Sequence, residues 1–305
     1  IKRISTEYWR GKDGSADDIL QYALEWAFFA RTQWGQYDTA LLELEVTWDK
    51  TQVGAPLPVT LGERPAVKKP IQTVQDAKDA MKHYIDLIPF DKILALPQAI
   101  STDIHYRSVT DEEMEAALRK RNAAGPAEQD IYASYLLELY LTEMETRHPH
   151  AVLQFSIGAE PLPYESGSKL RTETVFEVAE IVSRHPNLNF QFFLASMHQN
   201  QAFCTLCREL PNLYLIGYWW HNFFPPYIAR VMEERLDMLP LNKNIGFFTD
   251  AYCVDWVYAK TLMIRKMMAE VLAKKVNLGQ YTKEQAVRIA ADLLYGNAHR
   301  ALGMQ

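Results

Sequence analysis

The second half of the chain repeats one pattern of polar and apolar residues. A basic residue is followed by proline and a short apolar run at 146–159, 183–196 and 207–220, and a looser copy covers 237–250. A cation is favourable near a helix C-terminus, proline stops a helix, and a short apolar run is typical of a buried strand. The pattern therefore predicts helices that alternate with parallel strands, as in a barrel or a doubly wound sheet.

The first half of the chain shows a weaker version of this pattern. Strand candidates at 39–48, 56–65 and 91–100 bring the number of predicted strands to seven. Helices are predicted at 16–34, 73–88, 110–122, 130–145, 254–275 and 283–295. Thr110 and a Thr282–Gln285 capping box begin two of these helices, and Gly296 is expected to end the last one.

Composition and charge indicate an ordinary globular protein. The chain has 305 residues and a net charge of −6, and its basic residues are scattered, which excludes a nucleic-acid-binding surface. No apolar run approaches the roughly 18 residues of a membrane helix. Of the three cysteines, Cys204 and Cys207 form a C-x-x-C within a helical pattern and without a second pair. We therefore predict a reduced, cytoplasmic protein rather than a zinc or disulfide framework.

Polar residues that directly follow an apolar run are the candidates for chemistry, because parallel α/β folds place their sites at the carboxyl ends of strands. These candidates are Arg64, Asp103, His105, Ser156, Glu160, His198, Trp219, Trp220, His221 and Asp250. Taken singly, each is more often an ordinary loop residue. As a set they favour a site, since at least four strand ends present His, Asp, Arg or Trp. His148 and His150 precede their strand, so we expect this H-x-H pair at the opposite end and without a metal.

Three motifs resemble the uronate isomerase (glucuronate isomerase) family of the amidohydrolase superfamily. They are GYWWHN at 217–222, IGFFTD at 245–250 and LLYGNAHRAL at 293–302, with weaker matches at 153–159 and 62–66. The resemblance implies an α/β fold, a distorted (β/α)8 TIM-type barrel with helical insertions. We expect 1–305 to form one such domain, with mainly helical covering segments at 1–40 and 105–147. Seven strands are one fewer than the fold requires, and by position the missing one is the first.

The resemblance also implies an activity and a site. The family interconverts hexuronates and their keto forms and carries one divalent metal. Asp250 corresponds to the acid at the metal, Trp219 and Trp220 to the pair beside the sugar, and Arg64 to an arginine that holds substrate. An arginine fork suits a carboxylate, and a tryptophan face suits the apolar side of a sugar.

Two histidines and a tyrosine complete the predicted site. We expect His198 to be a second metal ligand, His221 a second catalytic group, and Tyr252 a substrate contact. Zinc or manganese suits a mixed His/Asp site.

Three departures from the family pattern predict weak or absent hexuronate isomerase activity. No H-x-H follows a strand, so that segment either lies upstream of Ile1 or is missing. Ser156 stands in place of a histidine, with Glu160–Pro161 near the position of an arginine, and Tyr252 replaces another arginine. The alternatives are a metal-dependent hydrolase of a sugar lactone or similar compound, and a non-catalytic relative. The predicted partner is a small-molecule sugar acid, with no nucleic acid and no membrane, and a homo-oligomer stays open.

Overall fold

The computed structural model describes most of the chain from residue 71 onward and two short strands before it. The described residues are 4–7, 20–23, 71–86, 90, 93–100, 104–120, 125–158, 171–219, 223–251 and 253–304. The strand candidates at 39–48 and 56–65 lie outside these residues. Contacts divide the chain into two compact units, Ile1–Leu153 and Gln154–Gln305. The single domain over 1–305 stays a prediction.

Parallel strands lie side by side in the first unit. They are β1 (Ile4–Glu7), β2 (Leu20–Ala23) and β3 (Ile93–Ile100), and β2 pairs with both of the others. β3 confirms the strand predicted at 91–100. The helix predicted over 16–34 is wrong at residues 20–23, because pairing on both sides satisfies their backbone groups and overrides a local helix preference. The remainder of that predicted helix lies outside the described residues.

Helices lie before and after β3 along the chain in the first unit, as the sequence predicted. They are α1 (Val74–Asp86), α2 (Asp111–Arg119) and α3 (Pro126–Arg147), and both α1 and α2 pack on α3. Thr110 and Glu113 form the capping box that begins α2, with the Thr110 hydroxyl accepting from the Glu113 N–H at 3.2 Å. α2 and α3 account for most of the segment 105–147, which was expected to be mainly helical.

One carboxylate connects the three helices that the structure describes in the first unit. Asp111 accepts hydrogen bonds from the Lys78 ammonium of α1 at 2.6 Å and from the Tyr135 hydroxyl of α3 at 2.8 Å. These two hydrogen bonds hold the pKa of Asp111 below its ordinary value of 3.8, and the bond from Lys78 makes the larger contribution. A lowered folded-state pKa means that the carboxylate stabilises the fold above the unfolded-state pKa. This stabilisation is lost as the pH falls through the folded-state value.

The strands of the second half also lie in chain order. They are β4 (Val152–Ile157), β5 (Asn189–Leu194), β6 (Leu213–Ile216) and β7 (Asn244–Ile245). β5, β6 and β7 pair in parallel, and the N–H of Ala195, directly after β5, donates to the carbonyl of Ile157 at 2.9 Å. All four predicted strands are confirmed, but β7 is much shorter than the predicted apolar run.

The helices of the second unit alternate with its strands, which confirms the predicted pattern. They are α4 (Thr172–Arg184), α5 (Asn200–Glu209), α6 (Pro225–Met238), α7 (Val254–Asn277) and α8 (Lys283–Ala291). A buried apolar cluster joins α6 and α7 to the C-terminal helices; it includes Ile228, Met232, Ile264, Met268 and Leu293. Burial of such side chains contributes about 1.5–3 kcal/mol each. Among the described residues, no helix is both long and apolar enough to cross a membrane.

Buried polar side chains close the turns that lead into the strands. The Asn212 amide donates to three backbone carbonyls in 182–188, the turn between α4 and β5. The Lys243 ammonium donates in the same way to carbonyls within 210–213, ahead of β6. Unpaired buried carbonyls are costly, so these donors stabilise the strand amino ends.

The H-x-H pair lies in the turn ahead of β4, as predicted. His148 caps the end of α3, and its ring stacks on Phe90 with centroids 3.5 Å apart. Burial lowers the pKa of His148, with the neighbouring Arg147 acting in the same direction. His150 has a left-handed backbone with a φ of 72°. Packing and turn formation account for both residues.

The C-terminal helices differ from the prediction at Gly296. The Thr282–Gln285 capping box is confirmed, but α8 passes through a π-helical turn at Asp292–Gly296 into α9 (Asn297–Ala301). Gly296 keeps a helical φ of −60°. The Asn297 amide donates to the carbonyls of Leu241 and Asn244, which anchors the continued helix beside β7.

The C-x-x-C pair is part of the core of the second unit. Cys204 and Cys207 are free thiols buried in α5. Burial raises the pKa of Cys204 to about 11, and it raises the pKa of Cys207 further. Since the thiolate is the reactive and metal-binding form, both residues act as small apolar side chains.

We predict that Asp111→Asn reduces the acid sensitivity of the protein. The substitution removes the carboxylate whose stabilising effect is present at neutral pH and lost in acid. The urea midpoint should fall at pH 7, and the difference from the unmodified protein should shrink towards pH 3. Glu112→Gln, an exposed neighbour in the same helical turn, serves as the control. Equal effects of the two substitutions at both pH values would contradict the assignment.

Candidate active site

Three aromatic side chains meet at the carboxyl ends of neighbouring strands. Phe193 lies near the end of β5, while Trp219 and Phe248 each lie three residues beyond β6 and β7. The Phe193 ring contacts the other two edge to face, with centroids 5.2 Å from Trp219 and 5.2 Å from Phe248. We call these three half-buried residues the aromatic cluster. An apolar surface of this kind suits one face of a sugar ring.

Alternation along β5 determines which side of the strands carries the cluster. Phe192 packs against Phe203 of α5, with centroids 5.7 Å apart, so this side of β5 faces the helix. The adjacent residues Gln191 and Phe193 face the opposite side. Gln191 accepts a hydrogen bond from the Gln154 amide of β4 at 2.9 Å. The aromatic cluster therefore lies on the face turned away from α5.

The backbone turns sharply at Gly217, directly after β6. Its φ is +48°, and a Cβ at this position would lie 2.0 Å from Cδ1 of Phe248. Glycine adopts this conformation without strain and leaves the space that the Phe248 ring occupies. The Gly217 N–H donates to the Ile245 carbonyl at 2.7 Å. Pairing between the two strands ends here because the chain then turns away, which explains the shortness of β7.

A buried arginine holds this turn from the helix side. Arg235 of α6 is 1% exposed, and its Nη1 donates to the Gly217 carbonyl at 2.8 Å. Its Nε donates to the Asn200 side chain at 2.9 Å, and its guanidinium lies 5.4 Å from the centroid of the Tyr218 ring. A buried charge is tolerated only when its donors are used. Arg235 therefore fixes the strand end that carries Trp219.

Asp250 lies on a left-handed turn, five residues beyond β7. The sequence predicted it directly at the end of a buried strand, and this placement is wrong, because β7 ends at Ile245. Asp250 has a φ of +44° and is exposed. Aspartate tolerates this conformation better than most residues, since its short polar side chain can hydrogen-bond locally. Its carboxylate is accessible, two residues after Phe248 of the aromatic cluster.

A lysine from α7 anchors the turn at Asp250. The Lys260 ammonium donates to the Asp250 backbone carbonyl at 2.7 Å. It also lies 4.7 Å from the ring centroid of Phe223 and 5.1 Å from that of Trp256. Burial lowers the pKa of Lys260, and the nearby Asp250 carboxylate acts in the opposite direction.

The described residues include both predicted metal ligands, Asp250 and His198. Asp250 fits this role as an accessible carboxylate on an anchored turn. His198 lies in the short turn Met197–Gln199 after β5, and it is exposed. Within the described parts of the chain, no group of three or more His, Cys, Asp or Glu side chains forms a metal site.

The remaining predicted residues are only partly described. Ser156 lies inside β4 and is buried, so it does not follow the strand as predicted. His105 is exposed, and its backbone N–H donates to the Asp130 carboxylate at 3.1 Å. The predicted residues that lie outside the described part are Arg64, Asp103, Glu160, Trp220, His221 and Tyr252.

Four residues that shape the site were not predicted. Phe193 and Phe248 belong to apolar runs and resemble core residues, whereas Arg235 and Lys260 lie within helices, away from any strand end. Gly217 was the sequence feature that could have indicated a close contact here, because it stands between an apolar run and a tryptophan pair. A glycine at that point is typical of a turn that a ligand or another backbone approaches closely.

A cavity of about 190 Å³ lies at the amino end of β7. Its lining includes Arg235, Leu239, Leu241, Asn244 and Ile289. Both amide atoms of the buried Asn244 side chain lack a protein partner. The cavity borders the first residue of β7, so we do not assign it to the candidate active site at the other strand end.

We predict that Gly217→Ala destabilises the protein more than Gly279→Ala does. Both glycines have positive φ, +48° and +70°, and backbone strain should cost about 1–2 kcal/mol in each variant. Only at Gly217 does the new methyl group clash with Phe248, which should add about 1–3 kcal/mol. Urea unfolding of the two variants checks this difference. Equal losses would show that Phe248 does not pack on the Gly217 backbone.

Sequence comparison relates the chain to uronate isomerases. No family model matches the chain. The uronate isomerase of Xanthomonas euvesicatoria pv. vesicatoria (strain 85-10) is 25% identical over 130 residues, which cover 41% of this chain and 28% of the relative. The matched segment thus spans less than a third of the relative's length.

Structural comparison gives the same relationship at the level of the fold. The glucuronate isomerase of Caulobacter crescentus matches with a TM-score of 0.78 and 13% identity, over 100% of this chain and 64% of that protein. The uronate isomerase of Thermotoga maritima matches with a TM-score of 0.73 and 14% identity, over 93% of this chain and 62% of that protein. The predicted resemblance is confirmed in sequence and in fold, and with it the predicted α/β fold class.

Proposed function

We propose that the protein is a uronate-isomerase-like enzyme that interconverts the aldose and ketose forms of a hexuronate or a related sugar acid. The main supporting observation is the aromatic cluster, a surface suited to a sugar ring, two residues from the accessible Asp250 carboxylate. The sequence relative and both structural neighbours are uronate or glucuronate isomerases. This likeness favours an isomerase over the hydrolase and over a non-catalytic relative.

The proposed roles follow from the chemistry of isomerisation. A proton moves between adjacent carbons, so the site needs a base, a group that polarises an oxygen, and an anchor for the carboxylate. We assign substrate binding to Arg64, Trp219, Trp220 and Tyr252, and proton transfer to Asp250 and His221. Arg64 would hold the uronate carboxylate as a planar fork, and Trp219 would orient the ring through its apolar face.

A divalent metal completes the proposed site. Asp250 and His198 are its proposed ligands, and zinc or manganese suits this pair. When bound, such a metal polarises sugar oxygens and so favours removal of a proton from the adjacent carbon. All three cysteines are free thiols, which suits the proposed cytoplasmic location.

We predict that the metal-loaded protein isomerises glucuronate or galacturonate slowly. A serine hydroxyl at Ser156 does not titrate near neutral pH as an imidazole does, and Tyr252 cannot clamp a carboxylate as a charged fork. Loss of a positioned acid–base group reduces rates by about 10²–10⁴. Product assays with both uronates, with and without metal, measure the isomerisation rate. Turnover of about 1–10³ per second would show that the replacements are compensated. Absence of uronate turnover, with hydrolysis of a sugar lactone, would favour the hydrolase.

We predict that Asp250→Asn removes most of the uronate turnover. Its kcat should fall by about 10²–10⁴ because the amide neither accepts a proton nor supplies a charged metal ligand. Asp255→Asn, an exposed carboxylate in the first turn of α7, is the matched control and should retain the original kcat. Similar melting temperatures would exclude a folding effect. Unchanged turnover in the Asp250 variant would contradict the assigned role.

A further inference from the structure

Two loops at the strand ends carry most of the proposed site in the second unit. The loop after β6 contains Trp219 and leads to Phe223, and the loop after β7 contains Phe248 and Asp250. In the described residues of these loops, strand pairing does not continue beyond Gly217 and Ile245. Their relative position therefore depends on side-chain contacts rather than on backbone pairing.

Lys260 contacts both loops from a helix that is itself well anchored. Its ammonium donates to the Asp250 carbonyl at 2.7 Å and lies 4.7 Å from the Phe223 ring centroid. Trp256, one turn earlier in α7, has its ring centroid 5.1 Å from the same ammonium. Further along α7, Ile264 and Met268 are buried in the apolar cluster shared with α6. The packing of α7 therefore fixes the position of the backbone that carries Lys260.

We propose that Lys260 is a positioning residue of the active site: it holds the left-handed turn at Asp250 against the Phe223 loop and so sets the place of the Asp250 carboxylate. This inference rests on the proposed function for its catalytic consequence. It does not depend on the protonation state of the amine, because both the charged and the neutral forms have an N–H group that can donate to a carbonyl.

The left-handed backbone makes such an anchor necessary. A non-glycine residue with φ near +44° is disfavoured, and it persists only where its surroundings hold it. The hydrogen bond from Lys260 to the Asp250 carbonyl provides such support. An error of about 1 Å in the position of a catalytic group can cost about 10²-fold in rate, so release of the turn should affect kcat.

Three variants separate a positioning role from general stability. Lys260→Met keeps the length and apolar stem but removes the donor. Lys260→Arg keeps a donor and a cation over the rings of Phe223 and Trp256. Lys266→Met is the matched control, because Lys266 is an exposed lysine of the same helix. Each full-length variant is measured for amide hydrogen exchange in the segment 246–251, for Mn²⁺ affinity, for kcat and KM, and for melting temperature.

The Met variant should show faster exchange in 246–251, by roughly tenfold if one hydrogen bond of ordinary strength is lost. Its kcat should fall about 10- to 100-fold with a smaller change in KM, and its Mn²⁺ affinity should decrease. The Arg variant should recover most of each property, and Lys266→Met should match the unmodified protein.

Two results would overturn the inference. Unchanged exchange in 246–251 of Lys260→Met would show that Lys260 does not hold the turn. Faster exchange with unchanged kcat and Mn²⁺ affinity would show that the turn does not position a functional carboxylate. If the unmodified protein neither binds Mn²⁺ nor turns over a uronate, the proposed function fails, and the exchange measurement still decides whether Lys260 holds the turn.

Discussion

The hydrogen bond from buried Arg235 to the Gly217 carbonyl is the constraint on which the region beyond the carboxyl ends of β6 and β7 depends. It fixes a turn that only glycine adopts without strain, and this turn ends the pairing of β6 with β7. The space left by the missing side chain is filled by Phe248, which then contacts Phe193 beside Trp219. The hydrogen bond between Arg235 of α6 and Gly217 thus determines how the residues of the aromatic cluster are arranged.

The amino and carboxyl ends of these strands are stabilised in different ways. The contacts at the amino ends serve stability, whereas those at the carboxyl ends leave a polar side chain accessible. At the amino ends, Asn212 and Lys243 each donate to several backbone carbonyls, so the turns are closed by bonds internal to the fold. At the carboxyl ends, Asp250 is held through its backbone, and its carboxylate stays accessible. Anchoring a residue by its main chain leaves its side chain available to substrate or metal.

The regular part of the fold was predictable because it depends on local signals. Proline after a basic residue marked the helix ends, and apolar runs marked β3, β4, β5 and β6. The Thr110 cap and the Thr282 capping box were also visible, since a cap involves residues only three positions apart. Predictions failed where distant partners decide the structure. Strand pairing on both sides makes 20–23 a strand, and contacts of Asn297 with Leu241 and Asn244 carry a helix past Gly296.

The alternation of helix and strand could be predicted from the residues alone, as could the strand ends where chemistry is expected and the presence of Trp219 and Asp250 beyond them. Each of these follows from residue type and short-range spacing. The three-dimensional structure was needed to show that Asp250 lies on an anchored turn rather than at a buried strand end, and that Phe193 and Phe248 join Trp219. Arg235 and Lys260 reach these positions from helices, and contacts between residues far apart in the chain leave no periodic signal in the sequence.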